Sequence, residues 1–195
     1  ITGKQEDYMK AGEIEMQLNH IYGNTEVFEK IKRLKEDGNI KDSLLRRQLD
    51  VIYIDFLRKQ FDTVKLEQQI KLGNEIEHKF STFRATVNNK TLSDNEVEEI
   101  LSHSVNSNEL QEAWLASKNI GPTVAADIIK LVKLRNEMSQ ELGFENYHTM
   151  ELQLSEQDPE EIERVFDELD SLTRDAYATL KDEMDEILAK RLNIK

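Results

Sequence analysis

The sequence predicts an all-α fold, an elongated array of antiparallel helices with one short β-hairpin near residues 85–92. Three observations predict it. Gly and Pro are scarce, seven and two in 195 residues, so few positions break a helix. Glu, Lys, Leu and Gln, which lose little rotamer freedom in helices, are abundant. Apolar residues recur at steps of three, four and seven along most of the chain. The spacing is too irregular for a long free coiled coil. No internal repeat and no Pro/Gly/Ser linker divides the chain, so residues 1–195 read as a single helical domain.

Residues 1–22 read as a helix with Ala11, Ile14, Leu18 and Ile21 on its inner face. Gly23 and Asn24 end it, and Asn24 or Thr25 caps a short helix carrying Val27, Phe28, Ile31 and Leu34. Gly38 and Asn39 stop that one. Asp42 opens the next, with Leu45, Leu49, Ile52, Phe56 and Leu57 inside. Phe61, Asp62 and Thr63 interrupt the pattern, with Asp62 as a fresh cap, and leave open one bent helix or two. Leu66, Ile70, Ile76, Phe80 and Phe83 continue the stripe. Thr86 and Val87 face Thr91 and Leu92 across Asn88 and Asn89, both tolerant of turn geometry, which predicts the hairpin.

Ser93 and Glu96 have the spacing of a capping box and open a helix lined by Val97, Ile100 and Leu101. A helix over 108–118 is expected to turn Leu110, Ala113 and Trp114 inward. Gly121 and Pro122 begin the clearest helix, whose stripe is Val124, Ile128, Leu131, Met138 and Leu142. Gly143 stands where a left-handed cap belongs, with Phe144 placed to fold back. A short helix follows over 146–154. Asp158, Pro159, Glu160 and Glu161 then start a last helix reaching to about Leu192, with a stripe from Ile162 to Leu188. Between Glu156 and Arg191 there are 13 acidic and 5 basic residues, read as a solvated outer face or an acidic wall towards a basic partner.

The net charge of −13 argues against nucleic acid and against an anionic membrane surface as partners. There is no Cys, hence no disulfide framework and no thiol chemistry. No run approaches a membrane span and no signal-peptide pattern is present, so a cytoplasmic location is expected. The first residue is Ile, which leads us to expect a start inside a longer protein or after a removed segment.

No catalytic, cofactor-binding or metal-binding residue is assigned. The four His (His20, His78, His103 and His148) include no two four residues apart, so the helical zinc-peptidase motif is missing. No phosphate loop or nucleophile elbow is present. Glu75/His78 and Glu145/His148 share the E-x-x-H spacing of di-iron bundles. The first pair projects away from its apolar stripe and the second lies at a helix end, so neither is read as a ligand set. Arg135 is the exception to the pattern, standing mid-stripe between Leu131 and Met138. It is expected to form a buried ion pair, with Glu112, Asp167 or Asp170 as partners, and the competing reading is a clamp for a substrate carboxylate. Trp114 and the Phe residues are expected in the core.

One further reading rests on whole strings. Glu112-Ala113-Trp114, then Leu131 to Glu137, then Glu141 to Tyr147 resemble zinc oligopeptidases of the angiotensin-converting-enzyme-like and oligoendopeptidase-like group. Phe80 to Arg84, the Asn88-Asn89-Lys90 turn, Ile100-Leu101 and Phe166 to Leu169 fall in similar order. The resemblance implies a helical N-terminal segment forming the lid and one wall of a peptide channel. The zinc ligands and general base of that group lie in a C-terminal portion and match no position here. On this reading the chain alone is inactive and holds no cofactor, and zinc belongs to the parent protein. Its partners are the missing catalytic half and an oligopeptide substrate, and its exposed groove surface makes it a candidate for homodimerisation. The alternative is a self-sufficient helical scaffold or interaction module without enzymatic activity.

Overall fold

The structure, a computed structural model, describes residues 4–194. Nine helices and one hairpin follow in order among these residues: α1 (Gln5–Tyr22), α2 (Thr25–Glu36), α3 (Ser43–Leu57), α4 (Thr63–Thr82), β1 (Ala85–Val87), β2 (Lys90–Leu92), α5 (Asp94–His103), α6 (Ser107–Lys118), α7 (Ile120–Glu141), α8 (Tyr147–Leu154) and α9 (Pro159–Leu192). The fold is all-α apart from the two-stranded antiparallel hairpin. The chain forms two compact units. One holds the chain up to His78 together with Asp127–Gln157, and the other holds Lys79–Ala126 and the chain from Asp158 onward.

The local signals placed the boundaries. Asn24 accepts from the N–H of Val27 at 3.0 Å, and Asp42 accepts from Leu44 and Leu45. Asp62 accepts from Lys65 at 3.0 Å, so the interrupted stripe is two helices, α3 and α4. Asn146 and Asp158 cap α8 and α9 in the same way. Asn88 and Asn89 both have positive φ, 51° and 64°, which a two-residue primed hairpin turn requires. Gly143 has φ +89°, and the N–H of Phe144 reaches back to the carbonyl of Ser139 at 3.1 Å, closing a Schellman-type cap on α7.

In the first unit Leu66 and Ile70 of α4 pack with Met138 of α7, flanked by Met16, Phe61 and Leu134. Met138 is wholly buried, as is Met150 of α8. α2 lies on α3, where Phe28 stacks on Tyr53 with ring centroids 5.6 Å apart. The expected inner face of α1 is corrected. Ile14, Leu18 and Ile21 are exposed, and Tyr8, Gly12 and Asn19 are buried instead. The cause lies in α4: Asn74 donates to the carbonyl of Tyr8 at 3.2 Å, and Gly12 gives room for Asn74 and Ile70, which a Cβ would meet at 2.9 and 3.3 Å. Close approach of α4 therefore selects the face, and the apolar stripe is left outside.

In the second unit Ala85 and Leu92 of the hairpin, Val97 of α5 and Ala116 of α6 form a small core, with Phe83, Val87 and Ile100 around it. Trp114 departs from expectation. It is 50% exposed, and Ala113 and Ala116 are the buried residues of α6. Small side chains let α6 approach the hairpin, and the indole lies outside beneath the ammonium of Lys118, 5.4 Å from its ring centroid. Phe80 is also exposed. α9 has no buried residue along its 34 residues, and its stripe, including Phe166, Leu172 and Leu180, faces outward.

Candidate functional site

The best-built polar cluster lies in the first unit and surrounds Tyr147, the first residue of α8. Asn136 of α7 accepts from the N–H of Tyr147 at 3.1 Å, which ties the start of α8 to α7. The guanidinium of Arg135 then lies over the Tyr147 ring, 5.0 Å from its centroid. Glu151, one turn further along α8, lies near enough to the Tyr147 phenol to raise its pKa and accepts from Arg58 Nη1 at 3.2 Å. Four side chains from α7, α8 and the end of α3 thus form a relay of cation, ring, carboxylate and cation. Burial pushes the Tyr147 phenol above its usual range, Glu151 adds to the shift, and Arg135 opposes it. The phenol therefore stays protonated at neutral pH.

Arg135 thus sits where the periodicity put it, but the expected carboxylate partner is replaced by an aromatic face. Glu112 accepts instead from Asn88 at 3.1 Å, and Asp170 pairs with Arg174 on its own helix. A guanidinium is weakly hydrated and planar, so a ring face can receive it with less desolvation cost than an ammonium. Arg135 Nε and Arg58 Nε are both buried without an acceptor. The cluster holds two guanidinium groups against a ring and a carboxylate, and it contains no activated nucleophile.

Arg58 and Glu151 were missed from the sequence. Glu151 had a signal, since it stands four residues after Tyr147 on one helix face. Arg58 is 93 residues from Glu151 and had none. The two E-x-x-H pairs are not brought together. His78 meets the edge of Tyr8, ring centroids 5.7 Å apart, while Glu75, Glu145 and His148 are exposed. Among the described residues no three His, Asp or Glu are grouped so as to hold a metal ion.

A second polar network ties α4 to α7. Lys65 bridges Glu137 at 2.6 Å and also Glu141. Hydrogen bonds to these two carboxylates push the Lys65 ammonium up to about 12. Arg47 grips both oxygens of Glu156, one pair at 2.6 Å, and joins α3 to the turn after α8.

No helix among the described residues is long and apolar enough to cross a membrane. No curated protein and no solved structure matches the chain significantly. A family model does match: that of the angiotensin-converting enzyme peptidases, family M2, over residues 2–193. A match of that extent takes in both units, the Tyr147 cluster and α9, so the chain belongs to the angiotensin-converting enzyme family of metallopeptidases.

Proposed function

We propose that this chain is the non-catalytic N-terminal helical segment of a zinc metallopeptidase that cleaves oligopeptides, and that it forms the lid and a wall of the substrate channel. One observation carries the reading. α9 presents a continuous apolar stripe along 34 residues and buries none of it. A helix with that pattern is built to be covered. The catalytic half of the parent peptidase is the occupant that family membership suggests.

Peptide hydrolysis at zinc needs three protein ligands, an open coordination position and a base. The donors of the described residues do not fit such a site, because they are dispersed and the His residues stand on separate elements. No catalytic step is assigned to them. Zinc, the oligopeptide substrate and a cytoplasmic location belong to the proposed parent, as does the finer kinship with oligoendopeptidase-like enzymes.

The test has two arms. Metal analysis and a fluorogenic peptide assay on the 195-residue chain are expected to give substoichiometric zinc and no chelator-sensitive cleavage. Reading the coding sequence beyond Lys195 is expected to show His-Glu-x-x-His. Stoichiometric zinc with chelator-sensitive cleavage, or a stop codon in that position, overturns the proposal.

A further inference from the structure

Two charges stand in line with the apolar residues of α9. Steps of four and three residues from Ala176 lead to Leu180, Glu183, Ile187 and Arg191, all on one side of the helix. Leu180 and Ile187 are exposed, and so are the carboxylate and the guanidinium beside them.

The remaining basic residues of α9 are matched on their own helix. Arg164 pairs with Glu161 and Glu168, Arg174 with Asp170, Lys181 with Asp185, and Lys190 with Glu186. Arg191 has no carboxylate partner among the described residues, and Glu183 has no cation. The helix cannot join these two to each other. They are eight residues apart, about 12 Å along the axis, with Ile187 between them.

In water both charges are hydrated and cost nothing. Covering them with an apolar surface strips that water, and a charge buried without a partner is strongly unfavourable. A surface that seals the stripe must therefore bring an opposite charge to each. One such polar pair within an apolar contact also fixes its register, because any slip leaves both charges unmatched.

Two other occupants fit poorly. An anionic membrane surface is repelled by a helix segment with 13 acidic and 5 basic residues between Glu156 and Arg191. A second copy of this chain matches the pair only when antiparallel about Ile187, the midpoint between Glu183 and Arg191. α9 ends at Leu192, so that contact reaches only from Asp182 to Leu192 and leaves the stripe from Ile162 to Leu180 open.

We propose that α9 docks against an apolar protein surface that presents a basic side chain to Glu183 and, about 12 Å along the helix, an acidic side chain to Arg191. The proposal rests on the reading that the stripe of α9 is covered in the parent protein, and it adds the chemistry of what covers it. It does not depend on zinc or on peptide hydrolysis.

The test is a fluorescence-anisotropy titration of the 195-residue chain against a labelled synthetic helical peptide. The peptide has about 30 residues, and its Leu stripe is broken by one Lys and one Glu set about 12 Å apart. Saturable binding is expected, with a Kd of about 100 µM or below. A control peptide with both charges replaced by Leu is expected to bind about tenfold more weakly. Glu183→Arg and Arg191→Glu are each expected to weaken the charged peptide about tenfold. The double variant restores it, since the exchanged pair meets the same peptide laid in the opposite direction. All three variants are expected to keep the melting temperature of the unsubstituted chain, because both residues are exposed.

Equal or tighter binding of the all-Leu peptide, single reversals without effect, or a double variant that stays weak overturns the proposal. So does a variant that unfolds, which places the stripe inside the fold of this chain. A dimer in sedimentation that either single reversal dissociates makes a second copy the occupant and also overturns it. Failure of the peptidase reading looks different: a stop codon after Lys195 leaves the charge preference standing. Binding of neither peptide removes the docking surface itself, and the proposal with it.

Discussion

Arg135 shows how one residue can be read correctly for position and wrongly for partner. Helical spacing put a guanidinium in the stripe of α7, and it is there, over the ring of Tyr147. The residue that receives it could not be read from α7, because it comes from the start of the next helix. Arg135→Met is expected to leave the fold intact and to change stability by no more than about 1 kcal/mol, since the lost cation–ring contact is offset by removing an unpaired buried Nε–H. Thermal unfolding checks this; a loss of several kcal/mol points to an ion pair after all. Tyr147 gives a pH prediction. Its folded pKa is raised above 10.0, so the folded state holds the phenolic proton more tightly than the unfolded chain. That contribution is complete below pH 10 and is lost as pH rises beyond it. Lys65, raised from 10.5 to about 12, loses its own contribution in the window between those values. Tyr147→Phe and Lys65→Met should each flatten the alkaline limb of a stability–pH curve. An unchanged limb in both counts against these contacts.

At the scale of the element, most capping signals were legible, though Asn106 before α6 was not read, and the helix faces were only partly so. A cap is a contract among three or four neighbouring residues, so the sequence contains all of it. Ser93 accepts from the N–H of Glu96 at 3.3 Å, and Glu96 accepts from the N–H of Ser93 at 2.8 Å, as the spacing predicts. Ser93→Ala should cost about 1 kcal/mol in thermal or urea unfolding. The backbone bond to Ser93, with Lys90 beside it, holds the Glu96 carboxyl down at about 2 against an ordinary 4.5. Its stabilisation is therefore present above pH 4.5 and lost as pH falls towards 2, and Glu96→Gln should remove that acid-limb dependence. Gly143→Ala meets no side chain but must hold φ +89°, and should cost about 1–2 kcal/mol for that reason alone. By contrast, the buried faces of α1 and α6 depend on what packs against them. Ile14 and Trp114 are large apolar side chains, yet Gly12 and Ala113 are what a close neighbour admits. Composition cannot reveal that a gap is wanted more than a side chain.

At the scale of the whole molecule, the largest departure from expectation is α9, whose stripe was correctly traced and is left uncovered. The pair Phe166→Glu with Leu172→Glu separates the two accounts of it. If the stripe serves only a partner, the melting temperature of the chain is expected to stay within what about 0.5 kcal/mol allows, while peptide cleavage by the proposed parent enzyme is expected to be lost. A large fall in melting temperature instead places the stripe inside the fold of this chain. The spacing of the stripe carries a further consequence. Val165, Ala176 and Ile187 stand eleven residues apart, and Leu169, Leu172, Leu180 and Met184 fill the intervals. Such a repeat averages about 3.67 residues per turn, close to the natural pitch, so the seam scarcely winds around the helix and does not favour a left-handed supercoil. Over these residues it forms a nearly straight rail about 33 Å long. A rail of that length and straightness is met best by the flat side of a rigid body, which engages along its whole extent or not at all.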